Sequence, residues 1–302
     1  MFSRSDIERF ADACKNISNE IADETGFVSV RNLLSRFQAK LLIRPLLVEG
    51  MLASDASGKW AVLVDSETYP VSEHDIEKES VANPLPSRLR NTIAHELVHS
   101  FAFRPTEFGV RLSGMKANGD IHRELLNDIE RHTENLSPLL LVPECALERS
   151  LSRQRSTLTA DDLIRIIHNL GVSRYVLVNR LRMIPLGHRL RLNPALQNVA
   201  IGIGAWDHTG KSLLRKWPIF TNFEQNLIPD LILKLQNQDN VPADAAFDDP
   251  NFLLCGGKIN QTKIHTYFGT MQNPHLEKNL IKCTVESKKI ANSSFIYTLH
   301  RI

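Results

Sequence analysis

The stretch RLRNTIAHELVHSFAF, residues 88–103, contains the pattern that decides the fold of the N-terminal part of the chain. On an α-helix, His95 and His99 lie on one face, about 40° apart and one turn along the axis, so both imidazoles can bind one metal ion. Glu96 is displaced by about 100° from His95, which suits a base that takes a proton from a water molecule. The pattern predicts a zinc-binding helix, although an ordinary helix in a chain with 11 histidines can carry it by chance.

A third protein ligand is needed, because catalytic zinc sites hold three protein groups and leave the fourth position to water. The segment DIERHTENLSPLLLVP, residues 128–143, offers Glu130 on the next predicted helix. Glu134 lies one turn further on the same face, where it can hydrogen-bond a ligand histidine and fix its tautomer. His132 is a rival ligand, but it points about 200° away from Glu130. The alternative is an exposed helix face that carries charged residues without any metal.

These two segments together resemble the ImmA/IrrE family of zinc metallopeptidases. Members typically show a helix of the form R-x-x-F-T-I-A-H-E-L-G-H, and then one of the form E-R-x-A-D-x-F-A-x-x-L-L-M-P. Here RLRNTIAHELVH matches the first over its core, and ERHTENLSPLLLVP aligns with the second without a gap. The resemblance implies that His95, His99 and Glu130 bind Zn²⁺ and that Glu96 is the catalytic acid and base.

The chain departs from the family pattern at positions that are not implied ligands. The replacements are Asn91 for the aromatic residue, Val98 for glycine, Thr133 for alanine, Glu134 for aspartate, Leu136 for phenylalanine, and Ser137-Pro138 for a pair of small residues. Pro138 removes one backbone donor and predicts a kink one turn beyond Glu134. The resemblance is specific over residues 85–145. It implies an endopeptidase that cleaves helix-turn-helix repressors in phage, mobile-element or stress-response regulation.

Composition sets broader limits on the protein class. With 42% hydrophobic and 23% charged residues, the chain resembles an ordinary globular protein, and its net charge of +2 indicates no particular partner. No apolar run approaches the roughly 20 residues of a membrane helix. The first 15 residues lack the apolar block of a signal peptide. Four dispersed cysteines without a CxxC pair argue against a thiolate zinc site and favour a reducing cytoplasm.

The resemblance implies an α+β, zincin-like metallopeptidase domain over residues 1–148, and hydrophobic periodicity predicts its helices and strands. Helices are predicted over 5–22, with Ser5 and Asp6 as cap residues, over about 28–38, and over 120–137. Strands are predicted within 40–53 and 59–67, separated by the turn-rich SDASG. In zincin-like peptidases an edge strand above the metal helix pairs with the extended substrate. We expect residues 59–66 to supply that strand, the alternative being a core strand.

The middle of the chain, residues 149–195, predicts a helix-turn-helix-like unit. Residues 149–191 contain nine arginines and no lysine. Within 157–184 the sequence predicts two helices, with Thr159 capping the first, Gly171 ending it and Ser173 capping the second. Arg174, Asn179, Arg180 and Arg182 could face phosphates or base edges. Alternatively, these arginines bind an acidic surface of a neighbouring domain or protein.

The C-terminal unit, residues 196–302, has no motif that identifies it. Strands and turns are predicted around one helix near 223–237, and DHTGK, residues 207–211, is a hairpin signal. CGGK, residues 255–258, is too short for a phosphate loop. Resemblance to longer family members implies a mixed α/β, GAF-like sensor or interaction domain.

The sequence therefore predicts a cytoplasmic, Zn²⁺-dependent endopeptidase whose partner is a protein substrate, a helix-turn-helix repressor. A second hypothesis is a DNA-binding regulator with a structural or inactive zinc site. A third is a toxin, antitoxin or defence component that uses the fold for binding. The substrate, the cleaved bond and the oligomeric state do not follow from the sequence.

Overall fold

The computed structural model describes the backbone of twelve segments of the chain. They are residues 3–54, 59–103, 120–153, 158–185, 188–197, 199–206, 212–214, 219–222, 240–242, 263–270, 280–291 and 294–301. The chain divides into two compact units that alternate along the sequence. The first combines residues 1–148 with 167–180, and the second combines 149–166 with 181–302. Residues of the predicted helix-turn-helix-like segment, 149–195, thus belong to both units.

The described part of the chain has a mixed α+β architecture. Its α-helices are α1 (Arg4–Ile21), α2 (Val30–Arg36), α3 (Glu73–Glu77), α4 (Ser87–Phe103), α5 (Asp120–Leu141), α6 (Glu144–Ser152), α7 (Ala160–Leu170) and α8 (Arg174–Arg182). The strands of the first unit are β1 (Ala39–Arg44), β2 (Gly50–Ser54) and β3 (Trp60–Asp65). The predicted helices near 5–22, 28–38 and 120–137 are therefore confirmed, and α5 continues for three residues beyond Pro138.

The N-cap of helix α1 lies before the two residues that the sequence predicts as caps. Ser3 is the N-cap, and its hydroxyl accepts from the backbone N–H of Asp6 at 3.1 Å. Asp6 in return accepts from the backbone N–H of Ser3 at 3.0 Å. This reciprocal capping box satisfies two backbone donors that helix geometry leaves unpaired. The predicted cap role was therefore wrong for Ser5, whereas Asp6 takes part in the capping box from the third helical position.

The sheet of the first unit has three strands in the order β1-β3-β2. Pro45 follows the first strand, so the apolar segment 40–53 forms two strands rather than one continuous strand. β1 runs parallel to β3, and β2 runs antiparallel to it. β3 is consequently the central strand, and its alternate side chains Trp60, Val62 and Val64 are buried.

Helix α4 is fixed by a buried apolar face and by aromatic stacking. Leu89, Ile93 and Leu97 recur every four residues and have no exposed surface. The ring of Phe101 stacks on Phe10 of α1, with centroids 5.1 Å apart. Near Phe10 in the sequence, Cys14 is also fully buried. This packing leaves the other face of α4 to carry polar residues.

Arg90 ties the start of α4 to three other segments of the first unit. Its guanidinium is fully buried and donates to the backbone carbonyls of Val28, Leu170 and Gly171. Its Nε lies 3.0 Å from a carboxylate oxygen of Glu79, whose side chain is also completely buried. A buried ion pair of this kind is stable only when hydrogen bonds satisfy both groups. Arg90 therefore joins three parts of the chain around the helix of the metal motif.

The predicted helical pair is confirmed as α7 and α8, and the residues predicted to cap or end these helices are confirmed too. The Thr159 hydroxyl accepts from the backbone N–H of Asp162 at 3.1 Å. The Ser173 hydroxyl accepts from the backbone N–H of Val176 at 3.2 Å. Gly171 ends α7 with a φ of +58°, a left-handed conformation in which a side chain would also collide with the Arg90 guanidinium.

The second unit contains a sheet with the strand order β7-β5-β4-β10-β9-β8, and β6 also pairs with β4. The strands are β4 (Val199–Trp206), β5 (Ser212–Leu214), β6 (Ile219–Asn222), β7 (Asn240–Pro242), β8 (Lys263–Thr270), β9 (Leu280–Ala291) and β10 (Ser294–Arg301). β4 and β5 pair antiparallel on either side of the predicted hairpin turn. That turn, CGGK and the helix predicted near 223–237 lie outside the described residues.

Among the helices whose residues are described, none has the length and apolar character needed to cross a membrane.

Candidate metal centre

Helices α4 and α5 bring together the three residues that the sequence predicts as ligands. His95 Nε2 lies 3.5 Å from one carboxylate oxygen of Glu130, and His99 Nε2 lies 3.0 Å from the other. One ligand atom from each of the three residues lies within 4.8 Å of the others. In a tetrahedral site with bonds of about 2.0–2.1 Å, neighbouring ligand atoms are about 3.3 Å apart. The group could therefore hold a metal ion.

The protonation of the two histidines also fits a metal site. Burial lowers the pKa of His95, opposed by the carboxylates of Glu130 and Glu134. Burial and the neighbouring His95 lower the pKa of His99, opposed by Glu130. Neutral imidazole is the form that binds a metal, so these shifts favour binding at neutral pH. His99 Nδ1 is buried, and no group in the described part of the chain hydrogen-bonds it.

Glu96 lies beside this group and does not belong to it. Only 8% of the residue surface is exposed. Burial, together with the negative charge of Glu130, raises the pKa of Glu96 to about 7. The backbone N–H of Leu52 donates to the Glu96 carboxylate and opposes the shift. A carboxyl group with a pKa near 7 can both accept and release a proton under neutral conditions.

Strand β2 forms the edge of the sheet beside the candidate metal centre. The backbone N–H of Asp65 donates to the Glu49 carbonyl at 3.1 Å, so Glu49 and Asp65 form a hydrogen-bonded pair. Hydrogen-bonded and non-hydrogen-bonded pairs alternate from there along β2 and β3. In an antiparallel ladder with this alternation, every second residue turns its peptide groups away from the partner strand. On β2 those residues are Gly50, Leu52 and Ser54. The prediction that residues 59–66 are the edge strand was wrong, because β3 is hydrogen-bonded on both sides.

Gly50 allows β2 to approach α4 closely. A Cβ atom at this position would lie 2.6 Å from Thr92 Cγ2 and 3.3 Å from Glu96 Cγ. Contacts under about 3 Å between carbon atoms are repulsive, so a larger residue would displace Thr92 or Glu96. Neither Gly50 nor the Leu52 donor stood out in the sequence, because both functions depend on the distance between a strand and a helix.

Two clefts adjoin the ligand group, and both are lined by His95 and Glu130. The first has a volume of about 420 Å³ and is lined by Gly50, Met51, Leu52, His95, Glu96, His99 and Glu130. The second has a volume of about 500 Å³ and is lined by Asn91, His95, Glu130, Glu134, Ser137 and Tyr175. The first cleft thus runs along the edge of β2, whereas α8 contributes a residue to the second.

Glu134 lines the second cleft, and its negative charge opposes the lowering of the His95 pKa. Its predicted hydrogen bond to a ligand histidine stays a prediction. His132 and Glu134 are outside the three-residue ligand group found among the described residues.

The three arginines predicted to contact a nucleic acid or a partner differ in exposure. Arg182 is exposed and Arg174 is half-buried. Arg180, by contrast, is only 1% exposed. Its Nε donates to the Val142 carbonyl at 3.1 Å, and its guanidinium lies 3.6 Å from Glu144. The structure therefore corrects the expectation for Arg180, because a buried guanidinium with these partners presents no surface to a phosphate.

Comparison with known proteins identifies no family for this chain. No protein-family model matches it, and a search of curated proteins found no significant match. The resemblance to ImmA/IrrE peptidases therefore depends on the motifs around the candidate metal centre.

Proposed function

We propose that the protein is a zinc-dependent endopeptidase of the ImmA/IrrE type, with a zincin-like catalytic domain, that cleaves a regulatory protein. The observation that carries the proposal is the ligand group of His95, His99 and Glu130, with the buried Glu96 next to it. Two imidazoles, one carboxylate and an adjacent carboxyl base match the protein groups of a peptidase zinc site. A GAF-like sensor role for residues 196–302 and a cytoplasmic location belong to the same proposal.

Zn²⁺, when bound by these three residues, would polarise the scissile carbonyl and lower the pKa of a water molecule. Glu96 would accept the proton of the attacking water and deliver it to the leaving amine. The pKa of about 7 belongs to the metal-free site, and a bound Zn²⁺ would lower it and so favour the basic form that takes the first proton. The Glu96 carboxylate is oriented by the backbone N–H of Leu52.

The substrate would bind as an extended strand along β2. Peptide groups of Gly50 and Ser54, together with the Leu52 carbonyl, face the open edge, where a peptide backbone can pair without any requirement for its side chains. Because Gly50 and Leu52 line the same cleft as Glu96 and Glu130, pairing would place a peptide bond beside the ligand group. A helix-turn-helix repressor is the substrate class that the resemblance implies.

Co-expression with repressors encoded near the gene tests this function. Cleavage fragments are expected with the wild type, and Glu96→Gln should reduce the cleavage rate at least about 100-fold, the usual scale for a general base. Glu96→Gln should keep its metal, measured by mass spectrometry of the purified protein. His99→Ala and Glu130→Ala should lose both metal and cleavage.

The exposed Glu77 on α3 offers a matched control, because Glu77→Gln makes the same chemical change away from the cleft. Cleavage by Glu96→Gln at the rate of Glu77→Gln would refute the role of Glu96. Full metal content in Glu130→Ala would remove Glu130 from the site. Metal binding without cleavage of any repressor would favour the DNA-binding or partner-binding alternatives instead.

A further inference from the structure

The second cleft adjoins the candidate metal centre. His95 and Glu130, which belong to the ligand group, also line this cleft. Its walls come from three helices, with Asn91 from α4, Glu134 from α5 and Tyr175 from α8. At about 500 Å³ it is large enough for one long side chain. A peptide residue held at the metal group can therefore place its side chain in this cleft.

The lining of the second cleft is polar and carries one negative charge besides the ligands. Glu134 is an exposed carboxylate, while Asn91, Ser137 and Tyr175 offer neutral hydrogen-bonding groups. A carboxylate with neutral polar neighbours attracts a cation and repels an anion.

The wall from α8 is held firmly in place. Asn179 donates to the backbone carbonyl of Glu134 at 3.4 Å, which connects α8 to α5 beside the cleft. Arg180 donates to the Val142 carbonyl just beyond the end of α5, and Arg90 donates to the Leu170 and Gly171 carbonyls before α8 begins. Supports of this kind fix the geometry of a binding group in advance, so less entropy is lost on binding.

We propose that the second cleft is a specificity pocket for a cationic side chain, arginine or lysine, on the substrate residue next to the cleaved bond. Glu134 is its charged group, and Tyr175 makes the second helix of the helix-turn-helix-like pair a determinant of substrate choice. This inference rests on the proposed function for its biological meaning. The preference itself requires only a metal ion in the ligand group.

Arginine hydroxamate and norleucine hydroxamate test the pocket without any cleavage. The hydroxamate group chelates the metal, so the two compounds differ only in the side chain presented to the cleft. Titration calorimetry on the zinc-loaded full chain should show arginine hydroxamate binding about tenfold more tightly, the scale of one charge-assisted hydrogen bond. Glu134→Gln should remove most of this ratio, and Tyr175→Phe should lower it about threefold.

Glu77→Gln is the matched control and should keep the wild-type ratio. Zinc content is measured for every variant, so that a loss of metal is not mistaken for a loss of selectivity. Equal affinities for the two compounds in the wild type would overturn the proposal, as would an unchanged ratio in Glu134→Gln. Absence of zinc binding would overturn both this proposal and the proposed function. A clear arginine preference in a protein that cleaves no repressor would support the pocket and refute only the peptidase.

Discussion

Replacing Arg90 by methionine should destabilise the first unit severely. Methionine keeps most of the side-chain length but removes the charge and every donor. The change would leave Glu79 as a buried carboxylate without its partner, with the carbonyls of Val28, Leu170 and Gly171 unpaired. The pKa of Arg90 is lowered by burial to about 10, so its guanidinium is still charged at pH 7 in the wild type.

The expected loss is about 4 kcal/mol. Breaking a buried ion pair by removing one partner costs about 3–5 kcal/mol, because the other charge stays buried. The lost hydrogen bonds to carbonyls are part of the same network, so their contributions do not add in full. The contact with Phe27, whose ring centroid is 4.2 Å from the guanidinium carbon, is lost as well.

Urea unfolding followed by circular dichroism measures the effect. With a slope of about 1–3 kcal/mol per molar urea, the midpoint of the first unit should fall by more than about 1 M. Arg88→Met is the control, because Arg88 pairs with Glu49 at the surface and should lose less than about 1 kcal/mol. In a double variant, Glu79→Leu should recover part of the loss. If the midpoint of Arg90→Met equals that of Arg88→Met, the buried pair contributes no more stability than the surface pair, and the expected loss of about 4 kcal/mol is wrong.

Two further changes test the surroundings of the site. Gly50→Ala should cost about 1–3 kcal/mol of stability and slow cleavage, because the new methyl group meets Thr92 and Glu96. Thr92→Ser removes the clashing methyl group of Thr92. In the double variant it should therefore restore both the stability and the cleavage rate. Hydrogen bonds from the Thr68 hydroxyl and the Leu46 and Thr68 N–H groups lower the pKa of Asp65 to about 2, so its stabilisation is complete above the unfolded pKa near 4 and is lost as pH falls toward 2. Thermal unfolding between pH 5 and 2 should thus show a smaller loss in Asp65→Asn than in the wild type, and equal losses would refute this contribution.

Local patterns predicted the helices and the ligand group well. The spacing of His95 and His99 is a property of one helix, and Glu130 was predicted because the resemblance covers both segments of the candidate metal centre. Capping residues also act within one turn, which is why Thr159, Gly171 and Ser173 were placed correctly. The histidine spacing and the caps depend on residues close together in the sequence, whereas Glu130 was reached only through the resemblance.

Features that depend on distant segments were not predicted. Alternating apolar residues indicate a strand but not its neighbours, so residues 59–66 were assigned to the sheet edge although β3 is central. For Arg180, the residue type alone does not distinguish a side chain that faces solvent from one that binds a carbonyl inside the protein. Its burial follows from the packing of α8 near the end of α5, which no local pattern encodes.

The alternation of the two units along the chain has a consequence for biosynthesis. Arg90 is separated by 81 residues from Gly171, one of the carbonyl groups that it binds. At about 5–20 residues per second, the ribosome needs roughly 4–16 s to add that interval. For most of this time the helix with both histidines has been synthesised, while its buried cation Arg90 lacks two of its acceptors. Folding of the N-terminal unit therefore finishes only after much of the following segment has been translated, and a pause in translation before residue 171 would prolong the incomplete state.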